Sequence, residues 1–200
     1  MAYSDFTKER LEKEFSINFK RNQLFNEVLP VQPSETLTSF LEISRQFPLY
    51  TEKAKSEAII FPIMTDLKKN NMTLISIFSG ERMEAQAEKG LTGECDYIIT
   101  GDPELLSVQA PIISIIEAKK DSADVGLAQC TAQLIGARTI HEQHGKNIVI
   151  YGCITNSEDW QFIKLENSTL YVDTRRYYIV ELPMILGVFQ RIIDEYYKVI

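Results

Sequence analysis

The sequence has no long hydrophobic run and few residues of the types that form disulfide bonds or bind zinc. No stretch of eighteen apolar residues occurs in the 200 residues, so we expect no membrane-spanning helix. The first residues, Met1-Ala2-Tyr3-Ser4-Asp5, lack the basic and apolar segments of a secretory signal peptide. The three cysteines form no CxxC pair, which favours a reducing compartment. We therefore expect a soluble cytoplasmic protein that does not bind a membrane.

Several common catalytic motifs are also missing. The two histidines, His141 and His144, are three residues apart, whereas a zinc-binding HExxH helix needs a spacing of four. We expect both histidines on the surface. The sequence has no glycine-rich phosphate-binding loop and no Ser/His/Asp arrangement. These absences exclude the common P-loop, zincin and serine-hydrolase sites.

A surplus of positive charge is missing as well. The formal net charge is −7, whereas proteins that bind nucleic acid usually carry a basic face. Metal-binding acids contribute to this total, and cations clustered beside one site would compensate locally. The cations that we expect near such a site are Lys68, Lys69, Arg82, Lys89, Lys119 and Lys120.

Two apolar segments in the middle of the chain predict a pair of strands. Residues 96–100 are rich in β-branched and aromatic side chains, and residues 112–116 are richer still. Gly101-Asp102-Pro103 opens a connection of hairpin length between them. We therefore predict two neighbouring antiparallel strands.

Charged residues at one end of this predicted hairpin fall on one face. Asp96 shares a face with Ile98, and Glu117 and Lys119 share a face with Ile113 and Ile115, because side chains alternate along a strand. Two carboxylates on adjacent strands near apolar surface repel each other unless a cation lies between them. Hard oxygen ligands favour Mg²⁺ over zinc. Lys119 would then hold or deprotonate a metal-bound water.

The pattern of Asp96, a strand-length spacer and Glu117-Ala118-Lys119 resembles the PD-(D/E)XK nuclease superfamily, with Cys95 in the place of the proline. The resemblance covers about residues 52–155. It implies a restriction-endonuclease-like α/β core, in which helices flank a mixed central sheet of about four strands and one helix crosses after the ExK strand. It also implies Mg²⁺ as cofactor, for which Mn²⁺ substitutes.

The resemblance assigns roles to particular residues. It places the catalytic groups at Asp96, Glu117, Lys119 and Gln129, and the metal ligands at Asp96, Glu117 and Glu57. Substrate contacts would come from Lys120 and Gln133. The residue types alone allow other interpretations. An acid in a first helical turn is often solvated, and two glutamines one turn apart often lie on an exposed helix face.

The remaining patterns predict a single domain of 200 residues in three parts. Residues 1–50 form a helical extension, with an amphipathic helix over residues 4–29 and a second helix that begins after Ser34. Residues 51–155 form the nuclease-like core, in which residues 72–78 are a strand and residues 121–124 cap the crossing helix. Residues 156–200 add a β-meander and a C-terminal helix. That helix is apolar on more than one face, so it is either buried or half of a homodimer contact.

Two functions follow as expectations. The first is a metal-dependent nuclease that hydrolyses phosphodiester bonds of nucleic acid, with DNA rather than RNA as the expected substrate. The second is a non-catalytic module that keeps the nuclease-like fold and binds a protein partner or another copy of itself. The acidic charge and the apolar C-terminal helix motivate the second.

Overall fold

The structure is a computed structural model that describes residues 1–119 and 126–199, with no side chain described at residue 199. It is an α/β fold with a mixed, open central sheet flanked by helices. Within the described residues, the strands in chain order are β1 (Asn18–Asn22), β2 (Ser76–Gln86), β3 (Leu91–Thr100), β4 (Ile112–Ala118), β5 (Ile150–Thr155), β6 (Asp159–Glu166), β7 (Thr169–Asp173) and β8 (Tyr177–Tyr178). The helices are α1 (Lys8–Phe15), α2 (Glu35–Ser44), α3 (Glu52–Lys55), α4 (Phe61–Asn70), α5 (Leu127–Gln143) and α6 (Leu182–Val199).

The sheet has the spatial order β1-β7-β6-β5-β4-β3-β2, and β8 pairs with β6. The predicted hairpin is confirmed, because β3 and β4 are antiparallel neighbours. Helix α5 connects β4 to β5, which lie side by side in parallel. Strands β5, β6 and β7 form the predicted antiparallel meander. All six residues of β5 are buried, as expected of a central strand whose sequence is almost entirely apolar.

Two apolar layers cover the sheet. One contains α5 together with the N-terminal residues Tyr3, Phe6 and Leu11. The other contains α2, α4 and α6. Side chains of α6 such as Phe189 and Ile193 are buried against the sheet, so the apolar faces of this helix are covered within the chain. Of the two predictions for α6, the structure therefore confirms burial.

A bulge in the hairpin changes the predicted faces. Ile99 pairs with Ser114, but Thr100 pairs with Ile112, so Ile113 is an extra residue in β4. Ile113 consequently packs in the α6 layer, whereas Ile115 packs in the α5 layer. The prediction that these two isoleucines share a face is wrong for this reason.

The predicted helix over residues 4–29 is also wrong. Helix α1 ends at Phe15, and Ser16 adopts a left-handed backbone conformation with φ of 55°. The chain then forms β1, which lies parallel to β7 at one edge of the sheet. The first fifty residues therefore contribute a strand and buried core residues, and they are not a purely helical extension.

The other edge of the sheet is β2, which begins at Ser76 and continues through the charged residues that follow Gly80. The predicted strand over residues 72–78 is therefore placed too early. The helix that begins at Ser34 is confirmed, because the Ser34 side chain accepts a hydrogen bond from the Leu37 N–H. Within the described residues, no helix is both long and apolar enough to cross a membrane.

Candidate active site

A cleft of about 280 Å³ lies at the end of the β3–β4 hairpin, next to the start of α5. Four of the predicted site residues line this cleft: Asp96, Glu117, Lys119 and Gln129. They come from β3, β4, the residue after β4, and α5. The fold therefore brings together side chains that are up to 33 residues apart in the sequence (129 − 96 = 33).

The hairpin register explains why the two carboxylates meet. Tyr97 is opposite Ile116, so Asp96 and Glu117 are the next facing positions along the same two strands. The Asp96 Oδ2 accepts a hydrogen bond of 2.7 Å from the Ala118 N–H. This side-chain hydrogen bond connects β3 to β4 beyond the last paired residues, Tyr97 and Ile116. It leaves the second oxygen of Asp96 available for another partner.

Glu117 is held by three side-chain donors. Its Oε1 accepts hydrogen bonds from Lys119 Nζ at 2.6 Å and from Gln129 Nε2 at 2.5 Å. Its Oε2 accepts a hydrogen bond from Gln133 Nε2 at 2.7 Å. Because Glu117 is only 2% exposed, these donors replace the water that a carboxylate would otherwise bind.

Burial and mutual repulsion make ionisation of the acids unfavourable. The pKa of Glu117 is raised to about 7 by burial and by the nearby Asp96, although Lys119 opposes the shift. Burial also raises the pKa of Asp96, against the effect of the Ala118 N–H. A cation beside this pair would relieve both effects.

Lys119 is a cation in this site. Burial acts to lower the pKa of Lys119, but the charge of Glu117 and the hydrogen bond to it outweigh burial, so the pKa is raised. Lys119 Nζ also donates to Gln129 Oε1 at 3.1 Å, and the Lys119 N–H donates to the Thr155 carbonyl at 2.7 Å. Both ends of the residue are therefore fixed. A protonated amine stabilises negative charge and does not accept a proton.

The two glutamines of α5 face the sheet. Gln129 and Gln133 are one helical turn apart, so both reach Glu117. The interpretation of an exposed polar face is wrong for both residues. Gln133 is 0% exposed and is absent from the cleft wall, so the predicted substrate contact is also wrong. Gln133 instead fixes the Glu117 carboxylate through its hydrogen bond to Oε2.

A glycine allows α5 to start this close to the sheet. A Cβ atom at Gly126 would lie 2.7 Å from Ile154 Cγ2 and 3.1 Å from Lys119 Cγ. Any larger residue would push the first turn of α5 away from Lys119. The position of Gln129 therefore depends on this contact.

The predicted metal ligand Glu57 does not line the cleft. Its side chain is 69% exposed and lies 3.8 Å from Lys53 Nζ, on the outer side of the helix. Glu52 lines the cleft instead. The reason is the orientation of the helix: the Ser56 hydroxyl is 2.5 Å from the Tyr97 hydroxyl, so the side of the helix that carries Ser56 and, one turn earlier, Glu52 faces β3.

Sequence reasoning also missed the N-terminal part of the cleft. Ala2, Tyr3 and Ser4 form an N-terminal wall of the cleft, and Gly93 and Glu94 of β3 line the cleft as well. The N-terminal wall is anchored because Tyr3 is only 1% exposed. An apolar Tyr3 and Phe6 among polar residues indicated burial, but nothing in the sequence indicated which surface they cover.

Further predicted features can be located only in part. Lys120 and the capping residues 121–124 lie outside the described residues. Of the cations predicted near the site, Lys119 is the one that lines the cleft among the residues that the structure describes. Across residues 1–119 and 126–199, no group of three or more His, Cys, Asp or Glu side chains is arranged to hold a metal ion.

His141 differs from its prediction. It is buried at 1% exposure near the far end of α5, where its Nε2 accepts a hydrogen bond of 2.8 Å from the Ile112 N–H. The pKa of His141 is lowered to about 4 by burial and by Lys146 and His144. The neutral form is therefore the native one at neutral pH.

Comparisons with known proteins add no assignment. No protein-family model matches the sequence, and no curated protein matches it.

Proposed function

We propose that this chain is a metal-dependent nuclease of the PD-(D/E)XK type, which hydrolyses phosphodiester bonds of nucleic acid, with DNA rather than RNA as the expected substrate. The observation that carries the proposal is the convergence of Asp96, Glu117, Lys119 and Gln129 on one cleft. Two acids can hold a metal ion, and an amine and an amide beside them can position charge at a reacting phosphate, which suits a metal-assisted phosphodiesterase.

The order of elements around the cleft supports the proposal. A helix (α3 and α4) precedes the antiparallel strands β2, β3 and β4, and α5 then crosses to the parallel strand β5. The resemblance implies this arrangement for a restriction-endonuclease-like core. The sheet is larger than the expected four strands because β1, β6 and β7 extend it at one side.

The donor set at the cleft fits Mg²⁺. This ion takes one or two protein carboxylates and keeps several waters, and Asp96 and Glu117 supply two carboxylates with raised pKa values. Asp96 and Glu117 would hold the ion, and Glu52, which also lines the cleft, would add negative charge near it without being a direct ligand. When bound, Mg²⁺ supplies positive charge that stabilises the negative charge of the reacting phosphate.

The remaining residues position charge. The Lys119 ammonium would stabilise negative charge that develops on the phosphate, because its raised pKa keeps it protonated. Gln129 orients Lys119 through the 3.1 Å hydrogen bond between Lys119 Nζ and Gln129 Oε1. Gln133 fixes Glu117. The raised pKa favours this electrostatic role of Lys119 over proton abstraction.

A nuclease assay with matched variants tests the proposal. The purified chain is incubated with single- and double-stranded DNA and RNA in Mg²⁺, in Mn²⁺ and in a chelator. We expect metal-dependent cleavage that falls by at least about 100-fold in Asp96→Asn and in Glu117→Gln, since electrostatic groups of this kind contribute about 10²–10³. Glu57→Gln is the control, because Glu57 lies outside the cleft and should leave the rate unchanged.

The result that overturns the proposal is specific. Equal cleavage by the wild type and by Asp96→Asn, with both proteins folded by circular dichroism, would assign any activity to a contaminant or to another site. A wild type that neither cleaves nucleic acid nor gains thermal stability in Mg²⁺ would favour the binding module.

One observation favours that second candidate. Phe40 and Ile43 of α2 and Phe61 of α4 are 46%, 58% and 52% exposed. Phe40 and Phe61 line the same shallow groove, and exposed apolar side chains of this size are typical of protein contacts. The burial of α6 within the chain argues against a homodimer through that helix. A dimer seen by sedimentation that persists in Phe40→Ser/Phe61→Ser would count against this groove as the contact.

A further inference from the structure

A second and larger cavity lies at the opposite end of β4 from the cleft. Its volume is about 690 Å³, which is within the range of about 300–1,000 Å³ that small-molecule sites occupy. It is bounded by Ile113, by the segment before β5, and by the last turns of α6. Ile113 and Glu117 are four residues apart along β4, so the two sites are roughly 13 Å apart along the strand.

The floor of this cavity is apolar. Ile113, Ile148 and Ile192 supply aliphatic side chains, and Tyr151 and Tyr196 supply aromatic rings. Ile113 is available only because the β4 bulge turns it away from the α5 layer. This arrangement accepts a hydrocarbon chain or ring.

Lysines border the apolar floor. Lys146, Lys164 and Lys198 line the cavity, and Glu195 is its single acid among the described residues. The Glu195 carboxylate is already bound, by Arg191 Nε at 2.6 Å and by the Tyr151 hydroxyl at 2.6 Å. Lys164 is 3.1 Å from Glu166, which leaves Lys146 and Lys198 as the two exposed cations at the rim. In a chain of net charge −7, this local excess of positive charge favours an anion.

We infer that this cavity binds an amphipathic organic anion, with its apolar part against Ile113, Ile148 and Ile192 and its carboxylate or phosphate group at Lys146 and Lys198. The inference does not rest on the proposed nuclease activity. A neutral amphiphile would lack the charge contact, and a cationic one would meet two like charges.

Calorimetric titration with decanoate, below its micelle concentration, tests the inference. We expect saturable binding of one decanoate per chain. Decanol should bind at least about tenfold more weakly, a loss of about 1.4 kcal/mol, because it lacks the charged hydrogen bonds to the lysines. Decyltrimethylammonium should not bind. Methyl NMR spectra should show shifts at Ile113 and Ile192 and none at the distant Ile17.

Two variants locate the site without disturbing the core. Val149 is 37% exposed at the cavity wall, so Val149→Trp should block the cavity and abolish binding. Lys146→Glu/Lys198→Glu should weaken decanoate binding by at least about tenfold and leave decanol unchanged. Lys13→Glu, a charge reversal on the exposed face of α1, is the matched control and should bind decanoate normally.

Three results would overturn the inference. The first is the absence of saturable decanoate binding by the wild type. The second is equal binding of the anionic, neutral and cationic amphiphiles. The third is undiminished decanoate binding by Val149→Trp.

Discussion

Two helices next to the cleft were each predicted to supply site residues, and they differ in how well the sequence places them. Helix α5 runs without interruption from Leu127 to Gln143, and both of its predicted glutamines reach Glu117. The helix before the sheet was predicted to supply Glu57. It supplies Glu52 instead, and Glu57 points outward beside Lys53.

The difference comes from helix geometry and from one tertiary contact. An unbroken α-helix has a fixed period, so residues four apart share a face wherever that face points. The other helix contains a π-helical turn, Ser56–Ile60, directly before the α4 segment that holds Pro62. A π-turn holds one extra residue and shifts the faces that follow it. Spacing within α5 is therefore informative, whereas the orientation of the other helix depends on tertiary contacts, among them that of Ser56 with Tyr97.

The largest expected effect is on the buried glutamine of α5. Gln133→Glu would place a second acid against Glu117 in a site with 0% exposure, so we expect the free energy of unfolding to fall by about 4 kcal/mol at pH 7. Chemical denaturation followed by circular dichroism measures this change. Gln143→Glu, on the exposed last turn of the same helix, should change stability by less than about 0.5 kcal/mol. Equal effects of the two variants would show that Gln133 does not contact a buried carboxylate.

The second effect concerns the far end of α5. The pKa of His141 is about 4 in the folded chain and 6.5 when unfolded, so the unfolded chain binds more protons between these values. The stability contributed by neutral His141 is therefore complete above pH 6.5 and is lost as the pH falls towards 4. The loss should reach about 3 kcal/mol, since one pKa unit corresponds to about 1.36 kcal/mol.

Unfolding titrations at several pH values, compared between the wild type and His141→Gln, isolate this contribution from that of the buried acids. The variant keeps an acceptor for the Ile112 N–H and cannot gain a proton. We expect the free energy of unfolding of the variant to change less than that of the wild type between pH 6.5 and 4. Gln143→Ala, on the exposed last turn of the same helix, is the control and should keep the wild-type pH dependence. Parallel curves for the wild type and His141→Gln would contradict the buried, neutral state of His141.

The parts of the fold that the sequence predicts share a simple physical origin. The second half of β3 and most of β4 and β5 are apolar, and the helix between β4 and β5 is long enough to return the chain to a parallel position. Because Asp96 and Glu117 lie directly next to the facing pair Tyr97 and Ile116 on neighbouring strands, their proximity follows once the hairpin is recognised. These local rules place four of the predicted side chains in one cleft.

The parts that it does not predict depend on contacts between distant segments. Strand β1 is polar and exposed, and its only strand neighbour among the described residues is β7, about 150 residues later in the sequence (169 − 18 = 151). The helical pattern of residues 4–29 gave no sign of this pairing. The bulge at Ile113 is likewise a property of the pairing between two strands, so no single-strand pattern could show it.

The third effect compares the two acids of the helix before the sheet. Glu52 lines the cleft and Glu57 does not, so Glu52→Gln should weaken apparent Mg²⁺ affinity by about tenfold, as supporting residues of metal sites typically do. The dependence of the melting temperature on Mg²⁺ concentration reports this affinity without requiring activity. Glu57→Gln should stay within about twofold of the wild type, because it loses only an exposed ion pair at 3.8 Å. The reverse order would restore Glu57 as the ligand and reject the placement of Glu52.

The smallest effect tests what sets the face of that helix. The Ser56 and Tyr97 hydroxyls are 2.5 Å apart in a partly buried position, and a hydrogen bond of this kind contributes about 1 kcal/mol. In a double-mutant cycle of Ser56→Ala and Tyr97→Phe, we expect a coupling energy of about 1 kcal/mol in the free energy of unfolding. If this bond orients Glu52, Ser56→Ala should also weaken the Mg²⁺-dependent rise in melting temperature, although Ser56 is absent from the cleft wall. The contrary result is additive stability effects of the two variants together with a normal Mg²⁺ response of Ser56→Ala. In that case the packing of apolar side chains around Ile59 and Ile60, and not this hydrogen bond, determines which acid faces the cleft.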